Sequence, residues 1–173
     1  MENRQQQQSQ IRKKSEGKFK MKIFEDYFSE YQADMVSICL EYVNQNANYI
    51  YIYASCESGM IYGDCFFNID GKVIERNALN EEANNAYRYD TSEDRQKMLL
   101  NIISEDIERI YKLCTKYKRK MPTEIKLVYD VKKNSLTANY VYENLWTDSD
   151  TKLGLDIFNE WFEEIKEKSC PIN

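Results

Sequence analysis

The 173-residue chain contains no histidine, and that absence bears on mechanism more than any other feature of its composition. Without imidazole there is no Ser-His-Asp or Cys-His nucleophile, no histidine-containing metal site, and no commonest general base near neutral pH. Glycine and proline are scarce, at five and two residues, which favours regular structure over long irregular loops. Only Gly59 and Gly63 cluster, and they lack both the Walker lysine and a following helix, so a phosphate-binding loop is excluded. The five cysteines, Cys39, Cys56, Cys65, Cys114 and Cys170, form no CxxC pair. An odd number at wide spacing fits reduced core thiols better than a disulfide framework or a zinc site. No apolar run approaches the roughly 20 residues of a membrane helix, and no secretory signal is visible. The expectation is a cytoplasmic protein with no cofactor, no metal and no membrane partner, and not an enzyme.

What the chain does have is charge, placed unevenly. Met1 to Lys22 carries seven bases and two acids, a net of +5, which leaves residues 23 to 173 at −10 against a whole-chain charge of −5. Residues 1–20, glutamine-rich and basic with few apolar groups, read as a disordered tail, and residues 21–173 as one domain. An acidic body makes nucleic acid an unfavourable partner for the domain and suits a basic protein.

Apolar periodicity places the elements. Phe24, Phe28, Tyr31, Met35, Ile38, Cys39 and Tyr42 mark one stripe of an amphipathic helix ending near Asn44. Two strands follow, Tyr49 to Cys56 and Met60 to Ile69, joined by Glu57-Ser58-Gly59, and Asp70-Gly71 turns the chain into a short third strand, Lys72 to Arg76. Asn77 to Asp90 reads as a loop with at most a helical turn. Thr91 can cap a second helix whose buried stripe is Leu99, Ile102, Ile103, Ile107, Ile110, Tyr111 and Cys114. A second hairpin, Ile125 to Tyr129 and Leu136 to Tyr142, precedes a polar loop and a last helix with Leu155, Phe158, Trp161, Phe162 and Ile165 on its apolar side. The order αβββαββα, with an antiparallel sheet of about five strands packed with three helices, defines an α+β fold.

The stretch Tyr49 to Tyr53 alternates tyrosine with isoleucine, so Ile50, Ile52 and Ala54 share one face of the strand while three phenols occupy the other. Stacking on single-stranded nucleic acid would need cations, and residues 49 to 69 contain no Lys or Arg. The phenols therefore either lie under a helix or partly face a protein partner. Cys65 has no nearby cation and reads as a core thiol. Asp148 and Asp150, or Glu160 with Glu163 and Glu164, could in principle serve as a carboxylate site, but the glutamates fit the solvated side of a helix.

These segments, with NYIYIYASCESGMIYGDCFFNIDGK and MPTEIKLVYDVKKNSLTANYVYENLW as their core, resemble the YezG-like immunity proteins (antitoxins) of Gram-positive bacteria. Tyr49 to Ala54 match the family's W-x-K-V-Y-x-Y-A strand, and Cys65-Phe66-Phe67 the aromatic end of the next one. Asn134 to Leu145 resemble its G-K-x-x-x-x-Y-x-Y-x-D-L hairpin, with Tyr140, Tyr142, Glu143 and Leu145 in the expected places. The family's tryptophan before the first strand is replaced by Ala47-Asn48, and the hairpin glycine by Asn134. The resemblance implies binding without catalysis: a cytoplasmic protein that neutralises a cognate toxin, often a nuclease exported by a type VII-like secretion system. The expected partner-binding surface is Glu143, Asp148 and Asp150 beside an exposed Trp146, continuing to Glu160 and Glu164. The alternative is a nucleic-acid-associated or adaptor protein that works through its basic tail.

Overall fold

The computed structural model describes residues 22–83 and 87–169, so the tail reading and Cys170 lie outside the described residues. Helix α1 (Phe24–Tyr42) leads into strands β1 (Tyr49–Glu57), β2 (Met60–Ile69) and β3 (Lys72–Glu75). A one-turn helix α2 (Leu79–Glu82) and the long α3 (Glu93–Lys116) follow, then β4 (Glu124–Asp130), β5 (Ser135–Val141) and α4 (Gly154–Ser169). The αβββαββα order and the α+β class hold, and α2 is the helical turn allowed for in the Asn77 to Asp90 loop. The five strands form one antiparallel sheet in the order β3-β2-β1-β4-β5.

Turn chemistry sets the register. Ser58 and Gly59 (φ 50° and 80°) and Asp70 and Gly71 (φ 51° and 82°) each supply two consecutive left-handed residues, the geometry that matches the twist of paired strands. In the β4–β5 turn the left-handed position is Asn134 at φ 49°, a conformation asparagine tolerates better than most residues.

Each face of the sheet has its own core. Ile50, Ile52, Ala54, Cys65, Phe67, Ile125 and Leu127 meet α1 and α3 on one side. On the other, Tyr51, Tyr53, Phe66 and Val73 meet Ile157, Phe158, Trp161 and Phe162 of α4. Strand β1, at the centre, is buried on both sides, which is why it alternates two apolar residue types instead of apolar with polar. Tyr51 and Tyr53 are thus core residues under a helix.

Helix α3 approaches β2 so closely that a methyl group on Gly63 would lie 2.7 Å from Ile103 Cγ2 and 2.9 Å from Ile107 Cδ1. Gly63 serves backbone-to-helix contact, a role its place in the hairpin did not suggest. The N-cap of α3 is Ser92, not Thr91: its hydroxyl accepts from Arg95 N, whereas Thr91 O accepts from Gln96. Tyr111 is 45% exposed and Leu113 takes the inward place, because Tyr111 lies about 100° around the helix from its neighbour Ile110.

The stripe of α3 also buries a carboxylate. Asp106 is 0% exposed, its Oδ1 accepts from Arg109 at 2.9 Å, and its Oδ2 has no hydrogen-bond partner. Burial, with Asp34 adding repulsion, outweighs the pull of Arg109 and pushes this carboxyl up to about 6. The folded state therefore holds the proton more tightly than the unfolded chain, and stability falls as pH rises from about 4 to above 6. Asp106→Asn is expected to stabilise the protein at pH 7 by about 1 to 2 kcal/mol, allowing for a half-exposed Arg109. Urea titrations should show that gain vanish below about pH 4.

Candidate functional site

The segment between β5 and α4 carries four of the residues expected to bind a partner, Glu143, Trp146, Asp148 and Asp150, and a buried glutamate holds it in place. Glu57, at the end of β1, is 1% exposed. Its Oε1 accepts from Leu145 N at 2.8 Å, and its Oε2 accepts from Trp146 N, Thr147 N and the Thr147 hydroxyl at 3.3, 3.0 and 2.7 Å. Burial works against the charged form, but the bonds from Thr147, Leu145 and Trp146 outweigh it and hold the carboxyl below the ordinary glutamate value of 4.5. Sequence reading assigned Glu57 only to a turn. Its partners lie 88 to 90 positions away, beyond the reach of any local pattern.

The same clamp corrects the expectation for Trp146. That indole is 7% exposed, packs in the α4-side core, and donates from Nε1 to Ser55 Oγ at 2.9 Å. It is an anchor for the loop, not an exposed tip for a partner. Burial of its amphipathic ring is favourable because Ser55 satisfies the one polar group it carries. Asp148 and Asp150 remain exposed beyond it, with Asp148 accepting from Asn144 Nδ2. Glu143 is exposed at the end of β5, where its carbonyl accepts from the Thr123 hydroxyl at 2.6 Å.

Helix α4 presents the densest charge. Its apolar side is taken by the aromatic core, so Asp156, Asn159, Glu160, Glu163, Glu164 and Glu167 fall on the other side and form its acidic outer face. Glu160 and Glu164 are expected site residues; Glu163 and Glu167 join them through the i, i+3 and i, i+4 spacing already visible in the sequence. Lys152 pairs with Glu160 at 2.6 Å and ties the loop to the helix, while Lys168 pairs with Glu164 and holds that carboxyl below its ordinary range. Among the described residues no hydrogen bond or ion pair joins Glu143, Asp148 or Asp150 to these carboxylates. Of the expected surface, Glu143, Asp148, Asp150, Glu160 and Glu164 are exposed, while Trp146 is buried beneath the loop.

A concavity of about 560 Å³ lies against the sheet edge between Phe24, Phe28, Pro122, Tyr140 and Tyr142, with Arg119 and Lys120 at its rim. Tyr140 and Tyr142 are 37% and 41% exposed, so the phenols that face outward belong to the β5 end of the sheet, not to β1.

Burial pushes the Cys65 thiol well above its ordinary value, with Cys39 alongside, which removes the thiolate a nucleophile would need. The four described cysteines are free and buried. Among the described residues no group of three or more Asp, Glu or Cys side chains is arranged to hold a metal ion. None of the described helices is long and apolar enough to cross a membrane. No protein-family model matches the sequence, and no curated protein matches it.

Proposed function

We propose that this chain is an immunity protein that binds and neutralises a protein toxin of basic surface, with a secreted nuclease as the best-fitting class, and that α4 provides the contact. The observation that carries this reading is the acidic face of Asp156, Glu160, Glu163, Glu164 and Glu167 on a helix whose opposite side is locked into an aromatic core. Like charges spaced three and four apart on a helix destabilise it by about 0.2 to 0.5 kcal/mol per pair. Among the described residues only Glu160 and Glu164 of that set have a lysine partner. A nuclease cleft is basic because it must hold phosphates, so a rigid acidic ridge can occupy it by electrostatic complementarity. The family resemblance supports the same reading, and its hairpin glycine is replaced here by a left-handed asparagine that keeps the turn.

The reading predicts a gene for a nuclease-type toxin beside this one, and the test pairs the full chain with its product. The unaltered chain should protect cells that co-express the toxin and bind it one to one. The triple variant Glu160→Lys, Glu163→Lys, Glu164→Lys should slow association at least about tenfold and lose most of its salt dependence while folding normally. Failure of the unaltered chain to bind, or full protection by the triple variant, would overturn the proposal.

A further inference from the structure

We infer that two copies of this chain associate through the outer edges of their β5 strands, paired antiparallel about a two-fold axis at Ala138, which joins their sheets into one. The two edges of the sheet are built differently. At one end β3 is only four residues long and carries Lys72 and Glu75, both devices that discourage edge pairing. At the other end β5 is seven residues long, Ser-Leu-Thr-Ala-Asn-Tyr-Val, with no charge, no proline and no strand beyond it among the described residues. A long uncharged edge is a template for another strand.

Main-chain alternation shows which groups that edge offers. Cys56 N donates to Thr123 O and Val131 N donates to Asn48 O, so the odd-numbered residues of β4 exchange bonds with β1. The even-numbered ones then face β5, where they pair with Ser135, Thr137, Asn139 and Val141. The N–H and C=O groups of Leu136, Ala138 and Tyr140 are left pointing outward.

The side chains say that the occupant is a second copy. With Ala138 on the axis, all three outward residues fall in hydrogen-bonded pairs, Leu136 against the partner's Tyr140 and the reverse. These are two of the exposed large hydrophobic residues of the chain, and an aliphatic–aromatic cross-strand pair covers both. Thr137 faces the partner's Asn139 on the other side of the sheet. The nearest charges, Lys133 in the hairpin turn, where it pairs with Asp130, and Glu143 past the other end, lie outside the strand, so no like charges meet along the paired edge. On the helix side each of the five carboxylates of α1 already has a partner: Glu25, Asp34 and Glu41 are drawn to Arg119, Arg109 and Arg95 on or just after α3, Glu30 to Lys22, and Asp26 accepts from Ile23 N. A chain of net charge −5 thus has a neutral, self-complementary edge at which its copies can meet.

Sedimentation of the full chain across a concentration series should give a mass of twice 20.7 kDa. Ala138→Pro removes only an outward-facing N–H, so it should yield a folded monomer. Thr137→Lys with Asn139→Lys sets lysine against lysine in both of their cross-strand pairs and should raise the dimer dissociation constant about tenfold. Thr137→Lys with Asn139→Glu sets opposite charges there instead and should restore most of the affinity, which a merely structural role for either residue would not do. A full chain that stays monomeric overturns the inference. So does a dimer indifferent to Ala138→Pro and to the charge swap. Amide exchange then reports the true occupant: a monomer with protected Leu136, Ala138 and Tyr140 amides uses its own N-terminal segment, and one protected only after toxin is added uses the toxin. None of these results depends on whether the acidic ridge of α4 binds a nuclease.

Discussion

Glu57→Ala is expected to lower the unfolding free energy by about 3 to 5 kcal/mol, although Glu57 is neither in a hydrophobic core nor in any recognisable motif. Its carboxylate is the common acceptor for three consecutive main-chain N–H groups and one hydroxyl. Truncation leaves those donors partly buried with nothing to bond, and each orphaned donor costs about 1 to 3 kcal/mol before relaxation and entering water recover some of it. Glu57→Gln keeps the shape but turns an NH₂ group toward donors, so it should lose roughly half as much. The pH dependence has a definite sign. Because the folded carboxyl lies below its ordinary 4.5, its contribution is complete above that value and is lost as pH falls through the lower folded value. Urea unfolding followed by Trp146 and Trp161 fluorescence should show the gap between the unaltered chain and Glu57→Ala narrowing below about pH 4. Amides of Leu145 to Thr147 should exchange faster in the variant. A loss under about 1 kcal/mol at pH 7 would mean that the loop does not need its clamp.

Phe66→Ala is expected to cost a similar amount, about 3 to 5 kcal/mol, for a different reason. Phe66 is 0% exposed, stacks on Tyr51 with ring centres 4.6 Å apart, and meets Phe158, Trp161 and Phe162 edge-on at 5.8, 5.0 and 5.2 Å. It is the only residue of the sheet in ring contact with all three of those aromatics of α4, so its removal opens a cavity where the helix is held. Phe66→Leu, which restores most of the volume, should cost less than about 1.5 kcal/mol. The two variants separate stability from function. Loosening α4 should weaken toxin binding in proportion to the lost packing, even though Phe66 is far from any partner. Toxin affinity that survives Phe66→Ala unchanged in the folded protein would place the contact somewhere other than α4.

The elements themselves were legible in the sequence because their signals are local. The spacing from Phe24 to Tyr42 closes one helical stripe, and Asp70-Gly71 can hardly be anything but a hairpin turn. The acidic residues of α4 were legible for the same reason: Glu160, Glu163, Glu164 and Glu167 share a helix side at three- and four-residue intervals. Thr91 and Tyr111 were misplaced by one step each. A cap competes with its neighbour for the same N–H groups, and a helical stripe is wide enough to admit a residue about 100° off its centre.

Trp146 shows the limit most clearly. A tryptophan among Glu143, Asp148 and Asp150 has the composition of an exposed interface anchor, and its local sequence says nothing more. Its burial depends on Ser55 and Glu57, which belong to a strand about ninety residues earlier.

By itself, then, the sequence determined the periodicities, the turns, the antiparallel α+β plan and the absence of imidazole chemistry, since each of these depends on neighbours within a few positions. Only the tertiary structure decided which side of the tyrosine strand a helix would cover, which carboxylate would be buried as a clamp instead of displayed, and which edge of the sheet would be left open. Those outcomes depend on strand order. Once β1 lies at the centre both its faces must be covered, and once β5 lies outermost the outward main-chain groups of Leu136, Ala138 and Tyr140 have no partner within the sheet.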